Sequence, residues 1–186
     1  SAAGTITGTS SVCQGQNNVA YTVPAITNAS SYVWTYSGTG VTINGTTNNI
    51  TINFSASATS GNLTVKGNNA CGSGPVSADF PITVNLLPTA NAGNDATICQ
   101  NQTHALSGTA TNQASVLWTT SGNGTFSSTS TLTAIYTPGT TDITNGTVTL
   151  TLTASAVSPC TVSATDTKTL TIQKSPTANA GLDATI

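Results

Sequence analysis

Tyr32, Trp34 and Tyr36 alternate with Val33 and Thr35, and Ile50, Ile52 and Phe54 alternate with Thr51 and Asn53. Side chains two residues apart share one face of a strand, so both runs predict strands with an apolar side. The same period of two appears at Val19–Val23, at Leu63 and Val65, and at Ile82 and Val84. It returns at Leu132, Ala134 and Tyr136, at Val148, Leu150 and Leu152, and at Leu170 and Ile172. No segment shows helical periodicity. Breaks fall at Pro24, Ser37-Gly38-Thr39-Gly40, Asn44-Gly45 and Asn68–Gly72, turn signals that suit short antiparallel strands. Asn44-Gly45 is a strong hairpin dipeptide. Val76–Val84 reads as a closing strand in which Pro81 suggests an edge or a bulge.

The pattern occurs twice. Residues 88–98 read PTANAGNDATI and residues 176–186 read PTANAGLDATI, differing only at Asn94 and Leu182. Cys99 answers Cys13, Ser115–Gly124 answers Ser31–Gly40, and Cys160 answers Cys71. The expected organisation is therefore two units, 1–86 and 87–174, with 175–186 as the first strand of a truncated third, a piece of a longer tandem array. Each unit has about seven short strands, the pattern of an all-β, immunoglobulin-like sandwich, and the units are expected to stack head to tail. Pro88 is read as the joint, and Ala90–Ile98 as one opening strand with Cys99 at its far end. Trp34 and Trp118 are read as core anchors between the sheets, with a sugar-stacking platform as the alternative.

Charge narrows the function classes. Only 4% of the 186 residues are charged: three lysines, five aspartates, no arginine and no glutamate, for a net charge of −2. Nucleic-acid binding needs a basic surface, and so does attraction to an anionic membrane. No stretch is long and apolar enough for a transmembrane helix, and the opening SAAGTITG lacks the basic end and apolar core of a signal peptide. Polar positions are filled by Thr, Ser and Asn. Their regular alternation with Val, Ile and Leu marks them as strand faces rather than disorder.

The residues also carry a resemblance. Ser11-Val12-Cys13-Gln14-Gly15, Tyr32-Val33-Trp34 and Asn69-Ala70-Cys71-Gly72 resemble the PKD-like repeats of Bacteroidota cell-surface proteins, as do Ala90–Gly93, Ile98-Cys99 and Leu117–Thr125. In their Thr-rich tandem form they are most similar to the giant gliding-motility adhesins exported by the type 9 secretion system. The resemblance implies PKD-like sandwiches in an extracellular filament attached at the outer membrane. Typical PKD units carry a Trp-Asp-Phe-Gly-Asp-Gly motif. Here Trp34 and Trp118 lead into Thr35-Tyr36-Ser37-Gly38 and Thr119-Thr120-Ser121-Gly122, without carboxylates.

Candidate chemistry is sparse. His104 is the single histidine and reads as a surface strand residue, with no nucleophile motif beside it. Scattered aspartates do not make a glycosidase pair. Asp95 and Asp183 occupy the same place in successive repeats; turn capping is the first reading, and a junctional calcium site with carbonyl ligands the sharper one. Asn-x-Ser/Thr triplets begin at Asn28, Asn44, Asn49, Asn53, Asn62, Asn101, Asn123 and Asn145, as a chain this rich in Asn and Thr produces by chance. No cofactor is implied. The reading is a non-catalytic segment of a surface adhesin filament whose partners are neighbouring repeats and surface polysaccharide or solid surfaces. The alternative is a spacer or carbohydrate-binding module of a secreted polysaccharide-degrading enzyme.

The four cysteines lack zinc-type spacing, and paired cysteines suit an oxidising compartment. One bond inside each unit, Cys13–Cys71 and Cys99–Cys160, is the simplest pairing. Strand direction argues against it. The turn after the first strand and the turn between the sixth and seventh lie at opposite ends of a sandwich, and ten extended residues span about 33 Å. A disulfide needs Cα atoms within roughly 7 Å. Head-to-tail stacking instead brings Cys13 toward Cys160, leaving Cys71 and Cys99 for neighbouring repeats.

Overall fold

In a computed structural model of the chain, which describes residues 3–179 and 181, the backbone forms two compact units. One comprises the chain to Leu87 together with Val157–Thr161; the other comprises Pro88–Ala156 and the chain from Val162. The architecture is all-β and immunoglobulin-like.

The first unit is built from β1 (Thr7–Gly8), β2 (Ser11–Cys13), β3 (Val19–Thr22), β4 (Ser31–Tyr36), β5 (Val41–Asn44), β6 (Asn49–Phe54), β7 (Gly61–Asn69), β8 (Gly72–Ser73) and β9 (Phe80–Asn85). One sheet has the order β1-β3-β6-β5, the other β2-β9-β7-β4, with β8 added to β7. Alternation decides what goes inside. Ile50, Ile52 and Phe54 of β6 are buried, as are Leu63 and Val65 of β7, Ile82 and Val84 of β9, and Trp34 of β4. Val33, one residue from Trp34, is 41% exposed. Each buried Leu- or Ile-sized side chain contributes about 1.5–3 kcal/mol to holding the sheets together.

The closing strand is shorter than Val76–Val84: residues 76–79 are not strand, and β9 begins at Phe80. Pro81 is tolerated because β9 pairs with β7 over Phe80–Ile82 and takes up β2 only from Thr83. One flank is open where the missing N–H would fall.

The second unit contains β10 (Thr89–Asn91), β11 (Ala96–Cys99), β12 (His104–Ala105), β13 (Thr109–Thr111), β14 (Gln113–Thr120), β15 (Thr125–Phe126), β16 (Ile135–Thr137), α1 (Thr140–Asn145), β17 (Thr147–Ala156) and β18 (Ala164–Gln173). Its main sheet runs β11-β18-β17-β14, a smaller one β12-β16-β15, and β10 pairs β13 as a ribbon. Trp118, Tyr136, Leu150, Leu152 and Leu170 are fully buried.

Two expectations are corrected here. Ala90–Ile98 is not one strand: β10 pairs antiparallel with β13, and β11 pairs parallel with β18. The break at 92–95 buries Ala92, while Gly93 turns in the left-handed region at φ 81° and donates its N–H to Asn91 Oδ1 at 2.7 Å. Glycine adopts that conformation without a Cβ penalty. The opening stretch thereby changes sheets, as β1 and β2 do in the first unit, where β1 pairs with β3 and β2 with β9. The second copy keeps the local device: Gly181 has φ 80° and donates to Asn179 Oδ1 at 2.9 Å. Among the described residues of 175–186 there is no strand; Asp183 lies outside the described residues.

The other correction is helix α1, which spans too few residues for a periodic pattern. Asp142 Oδ2 accepts the Gly139 N–H at 3.0 Å at its start. Gly146, at φ 76°, ends it by donating its N–H to the Asp142 carbonyl at 2.9 Å.

Candidate functional site

Three places in the fold hold the residues with chemical potential. One is an inward-facing lysine–histidine pair. Asp166, Lys168, Leu170 and Ile172 alternate along β18 toward the core, and Lys168 is only 4% exposed. His104 is held opposite by pairing with Tyr136 of β16, and Lys168 Nζ donates to His104 Nε2 at 2.9 Å. His104 is thus half-buried against a buried lysine, not the surface strand residue that its neighbours in sequence suggest. Burial lowers its pKa, and the Lys168 ammonium lowers it further. Burial also lowers that of Lys168, against an opposing effect of the Asp95 carboxylate. The alternation of Lys168 with Leu170 and Ile172 was the signal for this inward lysine.

Asp95 is the described member of the calcium candidates. Its Oδ1 accepts the Thr169 N–H at 2.7 Å, joining the sheet-changing loop to β18 rather than capping its own turn. The neighbouring Asp166 Oδ2 accepts the Ala92 N–H at 2.7 Å. Both carboxylates therefore fix the loop 92–95 to one strand, and Lys168 supplies the nearby positive charge. Among the described residues, no three His, Cys, Asp or Glu side chains cluster in a way that would hold a metal.

A second place is the Asp142 cage. The carboxylate is 1% exposed. It accepts the Tyr136 hydroxyl at 2.6 Å and the N–H groups of Asn123 and Gly139, each at 3.0 Å. Tyr136 also contacts Thr120 Oγ1 at 2.9 Å. Burial acts to raise the Asp142 pKa, but the donors from Tyr136, Gly139, Asn123 and Gly124 outweigh it and hold the carboxyl below its ordinary value. Tyr136 is pushed up to about 12, by burial first and then by the bond to Asp142. Gly122 faces this carboxylate so closely that a Cβ there would collide with it. With every donor used internally, the cage organises the Ser121–Gly124 turn against α1. Sequence reading missed it, because its members are polar residues spread from 120 to 142.

The third place is the cysteines. Cys13 is bonded to Cys160, with Cα atoms 5.7 Å apart. Cys71 and Cys99 are free and exposed. The pairings Cys13–Cys71 and Cys99–Cys160 therefore do not form. The turn that carries Cys160 groups with the first compact unit although it connects β17 to β18 of the second.

The tryptophans lie in the cores. Trp34 is 9% exposed and Trp118 1%. Their indole N–H groups donate to the carbonyls of Thr47 and Thr131, at 2.9 and 3.1 Å. A buried, hydrogen-bonded indole offers no face for sugar stacking. The exposed large hydrophobics among the described residues are aliphatic, such as Val33, Leu117 and Val162. A surface concavity of about 510 Å³ is lined by Thr7, Tyr21, Thr22, Asn44 and Asn49 among others, and contains none of the titratable clusters. No helix of the described residues is long and apolar enough to cross a membrane.

No curated protein matches the chain. Among solved structures, an I-band fragment of titin is 13% identical, with 88% of this chain and 62% of that chain covered and a TM-score of 0.46. A protocadherin gammaB7 fragment is 14% identical, with 89% and 45% covered and a TM-score of 0.45. Human mucin-like protocadherin is 9% identical, with 93% and 99% covered and a TM-score of 0.42. The chain thus spans less than two thirds of the first two. Residues 1–82 match the family described as PKD-like domain.

Proposed function

We propose that this chain is a non-catalytic repeat segment of an extended cell-surface adhesin filament of the gliding-motility type, giving reach, stiffness and attachment. The observation that carries the reading is the Cys13–Cys160 bond, which ties a turn of the second repeat covalently to the first unit. A disulfide spanning a repeat boundary resists separation of domains under tension, which a bond confined to one sandwich does not. It also suits an oxidising, extracellular setting. The recurrence of the 88–98 sequence at 176–186, with its Asn-Ala-Gly turn, supports a continuing array in which 175–186 opens the next repeat. The PKD-like match and the resemblance to Bacteroidota surface repeats support export by type 9 secretion. They also support a filament held at the outer membrane that contacts surface polysaccharide or solid surfaces.

The test is made on intact cells that express the protein. Antibody against this chain is expected to label unpermeabilised cells, and deletion of the gene is expected to abolish attachment to glass. Labelling only after permeabilisation, or attachment unchanged by deletion, overturns the reading.

A further inference from the structure

Cys99 ends β11 as Cys13 ends β2, and each strand pairs in parallel with the last strand of its unit: Cys13 lies opposite Asn85, Cys99 opposite Gln173. The turns that follow share three hydrogen bonds. Cys13 N–H donates to Gln16 Oε1 at 3.0 Å, and Cys99 N–H to Gln102 Oε1 at 3.1 Å. Gln16 N–H donates to the Cys13 carbonyl at 3.1 Å, and Gln102 N–H to that of Cys99 at 2.9 Å. Gln14 and Gln100 donate back to Asn85 and Gln173, at 3.0 and 2.9 Å. Cys99 is therefore presented as Cys13 is, and Cys13 is bonded. Its partner Cys160 follows the long strand β17, and Cys71 follows the corresponding strand β7; both sit in the turn before the next strand.

We propose that Cys99 and Cys71 are the two open halves of the same linkage, each made to bond a further copy of this repeat. Cys99 takes the counterpart of Cys160 in a following copy, and Cys71 takes the counterpart of Cys13 in a preceding one. The inference rests on the repeat-array reading and identifies the partner at each end. The bonded pair supplies the chemistry of the joint. The one bonded turn, Val157–Thr161, groups with the first unit, and that is the arrangement the proposal extends to the other copies. Each new bond removes two protons and two electrons from two thiols. With glutathione disulfide as oxidant, one cysteine thiolate attacks it and releases one glutathione. The second cysteine then attacks the mixed disulfide and releases another.

The test mixes two variants of the whole 186-residue chain in a glutathione redox buffer. C99S keeps only Cys71 free, and C71S keeps only Cys99 free. The mixture is expected to give a non-reducing dimer whose tryptic map contains a Cys71–Cys99 peptide pair, and either variant alone is expected to lose that dimer. Both altered residues are exposed, and retention of the Cys13–Cys160 peptide pair confirms the native fold. Dimers from either variant alone in the same yield, or no Cys71–Cys99 pair in the mixture, overturns the proposal. Neither result bears on surface labelling, so failure of the linkage and failure of the adhesin reading are distinguishable.

Discussion

The Tyr136 hydroxyl donates to the Asp142 carboxylate across 2.6 Å in a fully buried setting, and the pair holds a loop, a strand and a helix turn at one point. Replacing Asp142 by Ala strands the Tyr136, Asn123 and Gly139 donors without water. The expected loss is about 3 kcal/mol, measured by urea unfolding. The folded-state pKa of Asp142 is lowered, so its contribution is complete above the ordinary carboxyl range and is lost as pH falls through the folded value. D142N should remove that part of the acid dependence. An acid limb unchanged in D142N would show that the cage is not the titrating element.

At the Lys168–His104 contact, stability moves with pH in the same direction. Both groups have folded pKa values below their unfolded ones, so the unfolded chain binds more protons in each window. Stability is expected to rise with pH as His104 deprotonates, up to about 6.5, and again as Lys168 deprotonates, up to about 10.5. Asp95 and Asp166 are the carboxylates nearby, and Asp95 moderates the lysine shift. Lys168→Met keeps a long side chain in the same inward phase and removes the buried charge. It should match or exceed the parent's stability at pH 7 and abolish the alkaline rise. A less stable K168M at pH 7 would mean that the ammonium is a net stabiliser.

How much of this was legible in the sequence follows from the range of each interaction. Strands β4, β6, β7, β17 and β18 were visible because a period of two is a local property, and Trp34 and Trp118 fell in the buried phase. The sheet change at Ala92–Asp95 was hidden, because Ala90–Ile98 reads as a continuous run while pairing partners are set by residues some 20 and 75 positions away. Helix α1 is shorter than two turns, so only its end signals, Asp142 and Gly146, could have announced it. The Asp142 cage depends on tertiary convergence of polar residues, which no period encodes.

Neighbouring positions on β14 should respond in opposite ways. Trp118 is 1% exposed and packs at 6.4 Å, centroid to centroid, on Phe126, whereas Leu117 is 46% exposed. Trp118→Ala is expected to cost about 3–5 kcal/mol and to unfold the second unit first. Leu117→Thr should change stability by no more than about 0.5 kcal/mol, as befits an open strand face. Equal losses in the two variants would contradict the assignment of inner and outer faces.

Cys13 and Cys160 are 147 residues apart, so their bond constrains the unfolded chain over nearly its whole length. Cys13→Ser should therefore lower stability by about 2–5 kcal/mol. Thiol titration of the folded, oxidised chain should count the two free cysteines, Cys71 and Cys99, and the Cys13→Ser variant should add Cys160. The contrast with C99S is the informative part: that substitution touches an exposed free thiol and should leave the melting temperature unchanged. In single-molecule pulling, the parent chain should release only the segments outside the Cys13–Cys160 loop until reductant is added. Cys13→Ser should extend by both units without reductant. Full extension of the oxidised parent would show that the bond does not hold the repeats together under load.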